Sequence, residues 1–118
     1  MMVEDDADDE FITRRILLKA GIDTIRVATD GQEALDMLLA PDQPLPEMLF
    51  LDLRLPRVDG LKVFAELRRQ ERTMALPVVI LTSSDDPKDR ESCLKLGAMA
   101  FLSKPLELSD LQKVFSGL

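Results

Sequence analysis

The residues best equipped for chemistry in this sequence stand at the ends of apolar runs. In "MLFLDLRLPRVDG" a single carboxylate, Asp52, follows Met48, Leu49, Phe50 and Leu51, with Pro56 and Gly60 close behind. An apolar run bounded by turn residues reads as a strand buried on both faces, and a carboxylate placed there is costly unless it is used. The pattern recurs. Glu4 and Asp5 follow "MMV", Thr82 and Ser83 follow "VVIL", and Lys104 follows "AFLS". Crowded carboxylates call for a hard cation with oxygen ligands, such as Mg²⁺. A carboxylate can attack phosphorus, and a transferring phosphoryl group is stabilised by a metal, an ammonium and hydroxyl donors. In such a set Asp52 is the nucleophile, Mg²⁺ the bridge, and Lys104 and Thr82 the clamp.

The elements that must bring these residues together are legible as alternating strands and helices. Strands are predicted at the "MMV" stub, Ile25 to Thr29, Met48 to Leu51, Val78 to Leu81 and Ala100 to Leu102. The helices carry start and stop signals. "DDADDEFITRRILLKAG" loads its first turn with acids and stops at Gly21. "DGQEALDMLL" sets Asp30 three residues before Glu33. "DDPKDRESCLKLG" runs from Asp86 and Pro87 to Gly97. "GLKVFAELRRQ" and "SDLQKVFSGL" are amphipathic, the second expected to be capped by Ser109. Five strand–helix units with apolar strands imply an α/β doubly wound parallel sheet with helices on both faces. In such a sheet ligands bind beyond the carboxyl ends of the strands. "LLAPDQPLPE" reads as a loop, and nothing resembles a linker, so residues 1–118 form one domain; its short first strand and short last helix read as trimmed ends.

Composition removes other classes of function. Of 118 residues, 46% are apolar and 31% charged, as in an ordinary globular domain. No membrane span or signal peptide is apparent, and the lone Cys93 fits a reducing, cytoplasmic setting. A net charge of −7 and only five aromatics, all Phe, argue against nucleic acid. The sequence has no His, which removes the commonest general base and zinc ligand, and it has no Gly-rich phosphate loop.

With these residues in view, the whole chain resembles a response-regulator receiver domain, the phosphoryl-accepting half of a two-component system. The matching elements, in order, are Glu4-Asp5, Asp52 in "LDLRLPRVDG", Thr82 in "VVILTSS" and Lys104-Pro105 in "AFLSKPL". The resemblance implies the flavodoxin-like fold with strand order 2-1-3-4-5. It implies phosphorylation of Asp52 by a histidine-kinase phosphohistidine or a phosphotransfer protein. Glu4, Asp5, Asp52 and the backbone carbonyl of Arg54 are expected to hold Mg²⁺, with Glu4 acting through water. Thr82 and Lys104 are expected to contact the phosphoryl group, and the Lys104-Pro105 peptide to be cis. Thr82 and Phe101 are the implied switch, with Phe where many relatives carry Tyr. The output is expected through a partner or a homodimer on the face of the fourth helix, fifth strand and fifth helix. The acidic start, the proline loop and "TSSDDPKDR" also resemble single-domain regulators paired with bacterial phytochromes.

Plainer readings exist for each residue. Asp52 could cap its turn. Asp6, Asp8, Asp9 and Glu10 read as a solvated first turn matched to the helix dipole. Thr82 alone suits a strand, and Lys104 alone suits a strand-end charge. Phe101 suits plain packing. Arg14-Arg15 and Arg68-Arg69 read as solvated helix faces, and Cys93 as a small core residue. The switch reading makes the chain a signalling module and not an enzyme. The alternatives are an adaptor that never uses phosphorylation, or a phosphatase of the haloacid-dehalogenase type. The latter wants an acid two residues after its nucleophile, where this chain has Arg54.

Overall fold

A computed structural model describes residues 1–117. Five strands alternate with five helices: β1 (Met2–Val3), α1 (Ala7–Lys19), β2 (Val27–Ala28), α2 (Gly31–Leu39), β3 (Leu49–Leu51), α3 (Gly60–Arg69), β4 (Val78–Thr82), α4 (Pro87–Lys95), β5 (Ala100–Ser103) and α5 (Leu108–Ser116). All strand pairs are parallel, in the order β2-β1-β3-β4-β5. This is the fold the sequence predicts. No helix among the described residues is long and apolar enough to cross a membrane.

Side-chain alternation divides the interior in two. Val3, Leu49, Leu51, Val78 and Ile80 face α2, α3 and α4, where they pack with Leu38, Phe64, Leu67 and Cys93. Met2, Phe50, Val79 and Leu81 face the other way, onto Leu17 of α1 and Leu111 and Val114 of α5. A strand whose neighbouring residues serve opposite cores must be apolar throughout, which is why "LFL" and "VVIL" lack the polar alternation of a half-exposed strand.

Most of the punctuation in the sequence sits where it was expected, but Asp6, read as one of the solvated first-turn acids, is the cap of α1 and accepts from the Asp8 and Asp9 amides at 2.9 and 3.0 Å. Asp30 caps α2 through the Glu33 amide at 2.7 Å, and Asp86 caps α4 through the Lys88 amide at 2.9 Å. Gly21 and Gly97 follow α1 and α4 in the left-handed region, φ 88° and 80°.

Three expectations need correction. The second strand keeps only Val27–Ala28 of Ile25 to Thr29, because β1, its one strand neighbour among the described residues, is itself two residues long. Ser109 does not cap α5. The cap is Glu107, whose amide donates to Asp110 Oδ2 at 3.2 Å, so Ser109 lies inside the first turn; the predicted end of that helix at Leu118 lies outside the described residues. Arg68 is no solvated helix face. Its guanidinium lies 4.9 Å from the Phe64 ring centroid and donates to the carbonyls of Leu96 (2.7 Å), Leu76 (2.9 Å), Thr73 (3.3 Å) and Gly97 (3.3 Å). It ties α3 to the turn after α4, and burial lowers its pKa. Its neighbour Arg69 is exposed and pairs with Glu66 at 3.5 Å.

Candidate functional site

The parallel sheet delivers residues far apart in sequence to one edge. β1 ends at Val3 and hands over to Glu4 and Asp5, β3 to Asp52, β5 to Lys104, and β4 ends on Thr82 itself. Glu4 and Asp52 are nearly inaccessible, with side chains 3% and 5% exposed, whereas Asp5 faces solvent. Each of these three carboxylates offers an oxygen within 4.8 Å of the others. Three hard oxygen donors converging in this way fit a divalent cation of the Mg²⁺ type.

The Lys104 ammonium fills the middle of the cluster. Its Nζ lies 2.6 Å from Glu4 Oε1, 2.7 Å from Asp52 Oδ2 and 3.0 Å from Asp9 Oδ2. Burial alone would lower the lysine pKa. Hydrogen bonds to Asp52, Glu4 and Asp9 outweigh it, and the pKa is raised. Glu4 moves up as well. Burial is the main cause, opposed by the bonds it accepts from Lys104 and from the Asp6 amide at 3.2 Å. The Lys104-Pro105 peptide is cis.

Asp52 is further fixed by the Arg54 amide, which donates to Oδ1 at 3.2 Å. Below it, Gly60 leaves no room for a side chain, since a β-carbon there would stand 2.0 Å from the Asp52 carbonyl oxygen. Thr82 is fully buried, and its hydroxyl accepts from the Ser84 amide at 3.2 Å; Ser83 is exposed. Phe101 is half-buried against the α2–α4 side of the core, with the Arg90 guanidinium 5.7 Å from its ring centroid.

Two carboxylates join this arrangement that sequence reasoning left out. Asp9 bonds Lys104, as described, although it reads as a solvated first-turn acid. Asp89 Oδ2 accepts from Ser84 Oγ at 2.7 Å and from Arg54 Nη2 at 3.2 Å, joining the loops after β3 and β4. Asp89 also adds to the effect of burial on Cys93, whose thiol is pushed up to about 11. Both acids stand third in a helix that starts at the carboxyl edge of the sheet, and that shared position was the available signal.

The response regulator receiver domain family model matches residues 1–116. The probable methanogenesis regulatory protein FilR2 of Methanothrix harundinacea is 36% identical over 117 residues, covering 96% of this chain and 76% of that protein. Response regulator Rcp1 of Synechocystis is 31% identical over 123 residues, covering 100% of this chain and 84% of Rcp1. Among solved structures, the bacteriophytochrome response regulator AtBRR superposes with a TM-score of 0.87 at 35% identity, covering 99% of this chain and 89% of that one. The Mn²⁺-bound form of Rcp1 gives 0.81 at 31%, covering 98% and 87%. The family match, the shared strand order and the acidic edge all agree, and the chain belongs to the response-regulator receiver domains.

Proposed function

We propose that this receiver domain is a phosphoryl-accepting switch with Asp52 as acceptor. A carboxylate oxygen of Asp52 attacks the phosphorus of a phosphohistidine. The O–P bond forms, the P–N bond breaks, and the departing ring nitrogen keeps the bonding pair. The sequence has no His, so the donor comes from a partner, a sensor histidine kinase or a phosphotransfer protein. The likeness to AtBRR supports a bacterial phytochrome as that sensor.

In this reading Glu4, Asp5, Asp52 and the Arg54 carbonyl would hold Mg²⁺, which would supply positive charge to offset that of the phosphoryl oxygens; the Mn²⁺ in Rcp1 supports a metal of this kind. Lys104 and Thr82 grip the phosphoryl group. Phe101 answers the movement of Thr82 and alters the face made by α4, β5 and α5, where a partner or a second copy docks. The domain then acts in the cytoplasm as a signalling module and not as an enzyme.

The observation that carries the proposal is the Lys104 ammonium 2.7 Å from the nearly buried Asp52, with the nearly buried Glu4 beside it. The test is incubation with phosphoramidate and Mg²⁺, followed by intact-mass measurement. The native chain should gain one phosphoryl group and Asp52→Asn none. An Asp52→Asn variant that gained the group at the native rate would remove Asp52 from the role.

A further inference from the structure

Lys104 is shared three ways, and the three partners are not equivalent. An ammonium has three N–H donors, and here each has a carboxylate: Glu4 at 2.6 Å, Asp52 at 2.7 Å and Asp9 at 3.0 Å. Glu4 and Asp52 belong to the group of converging oxygens suited to a divalent cation, and Asp9 does not. A cation and a phosphoryl group in that cluster would compete with Lys104 for the carboxylates of Glu4 and Asp52. Asp9 lies outside that competition and stays available to the ammonium.

Asp9 is also placed to keep them there. Its amide is bound by the Asp6 carboxylate at 3.0 Å, and the Asp6 amide is bound by Glu4 Oε2 at 3.2 Å. The first turn of α1 is thus fastened to the end of β1, beside the cluster. The Asp9 side chain is 38% exposed, against 3% and 5% for Glu4 and Asp52, so its charge is less costly to maintain unaided.

We propose that Asp9 is a positioning residue for Lys104, the carboxylate that retains the ammonium beside Asp52 when cation and phosphoryl group displace it from Glu4 and Asp52. Held through one N–H, Lys104 has two left for phosphoryl oxygens. This deepens the acceptor reading above and rests on it. The competing account is that Asp9 only complements the helix dipole, as any acid in that turn would. Asp8 separates the two. It carries the same charge in the same turn, is exposed, and has no bond to Lys104.

The test measures Mg²⁺ affinity by calorimetry and the rate of phosphorylation by phosphoramidate, in native protein and in Asp9→Asn, Asp9→Glu and Asp8→Asn. Asp9→Asn should weaken Mg²⁺ binding and slow phosphorylation, each about fivefold beyond Asp8→Asn, the scale of one partly exposed charged hydrogen bond. Asp9→Glu, which keeps the charge, should recover part of both. In a Lys104→Gln background the Mg²⁺ affinities of the Asp9→Asn and Asp8→Asn variants should coincide, because the residue through which Asp9 acts is gone. Equal behaviour of Asp9→Asn and Asp8→Asn in the native background overturns the proposal. So does an Asp9→Asn deficit in Mg²⁺ binding that survives Lys104→Gln. If the native protein gains no phosphoryl group, the acceptor reading fails on its own, and the Mg²⁺ series still decides the role of Asp9.

Discussion

Arg54 and Asp89 meet Nη2 to Oδ2 at 3.2 Å, and Asp89 takes the Ser84 hydroxyl with the same oxygen. One carboxylate therefore ties the loops after β3 and β4. The Arg54 side chain is 63% exposed, so water screens the pair and its worth is about 1 kcal/mol at most. Asp89→Ala should lower the melting temperature by about 5 °C or less. Removing its charge favours the thiolate of Cys93, whose pKa should fall below about 11. Thiolate absorbance followed against pH reads this directly; an unchanged midpoint would leave burial as the whole cause.

Lys104→Met should cost far more. It strands Glu4 and Asp52 as nearly buried carboxylates without their cation, a loss of about 3 kcal/mol at neutral pH. The pH dependence follows from the shifts. The raised Glu4 pKa means that folding favours its protonated form, so the penalty of its charge is absent at low pH and complete above the folded pKa. Without Lys104 that pKa rises further. The deficit of Lys104→Met should therefore shrink as pH falls from neutral toward the ordinary glutamate value of 4.5, as measured by urea unfolding. The raised Lys104 pKa acts at the other end of the scale. Its contribution to native stability is complete below 10.5 and is lost only as pH climbs past the folded value. A Lys104→Met deficit that is constant with pH would count against burial of Glu4 as the cause.

Gly60→Ala should be destabilising out of proportion to one methyl group. The added carbon would stand 2.0 Å from the Asp52 carbonyl oxygen and 2.6 Å from Leu53 Cα, and backbone cannot rotate aside. A loss of about 2 kcal/mol or more is expected in denaturant unfolding. If Asp52 is the acceptor proposed above, its displacement should also slow phosphorylation. Native stability in this variant would mean that the β3–α3 connection is looser than its contacts indicate.

Arg68→Lys should be nearly as harmful as Arg68→Ala. Four carbonyls are served by three guanidinium nitrogens arranged as a fork, and a single ammonium cannot span them. Leaving carbonyls unpaired at the α3–α4 junction should cost about 2 kcal/mol in both variants. Recovery by lysine would show that charge alone is what the junction requires.

Fold and site were not equally visible in the sequence. The parallel sheet was legible because residues serving two cores leave uninterrupted apolar runs in β3 and β4, and four of the five strands lead to a polar residue that enters the site, while the second leads to Asp30, which caps α2. Asp52 and Lys104 stood out because their surroundings are apolar. Asp9 and Asp89 did not, because an acid in the third position of a helix already has a sufficient local explanation. The same local logic hid Arg68. An arginine in the last turn of an amphipathic helix looks solvated until the tertiary fold brings the Leu96 and Gly97 carbonyls to it. Ser109 misled in the opposite sense, as a good capping residue overruled by Glu107 two positions earlier.

The position of β5 at the rim of the sheet has a bearing on the order of assembly. β4 is its only strand partner among the described residues, and β5 delivers the ammonium that compensates acids laid down near residues 4 and 52. A chain synthesised from its amino end builds the negative pocket well before the positive charge reaches it. Until the rim strand docks, three neighbouring acids repel one another without their lysine. A dissolved divalent cation is then the counter-charge at hand, and it should act as a folding aid for the nascent domain.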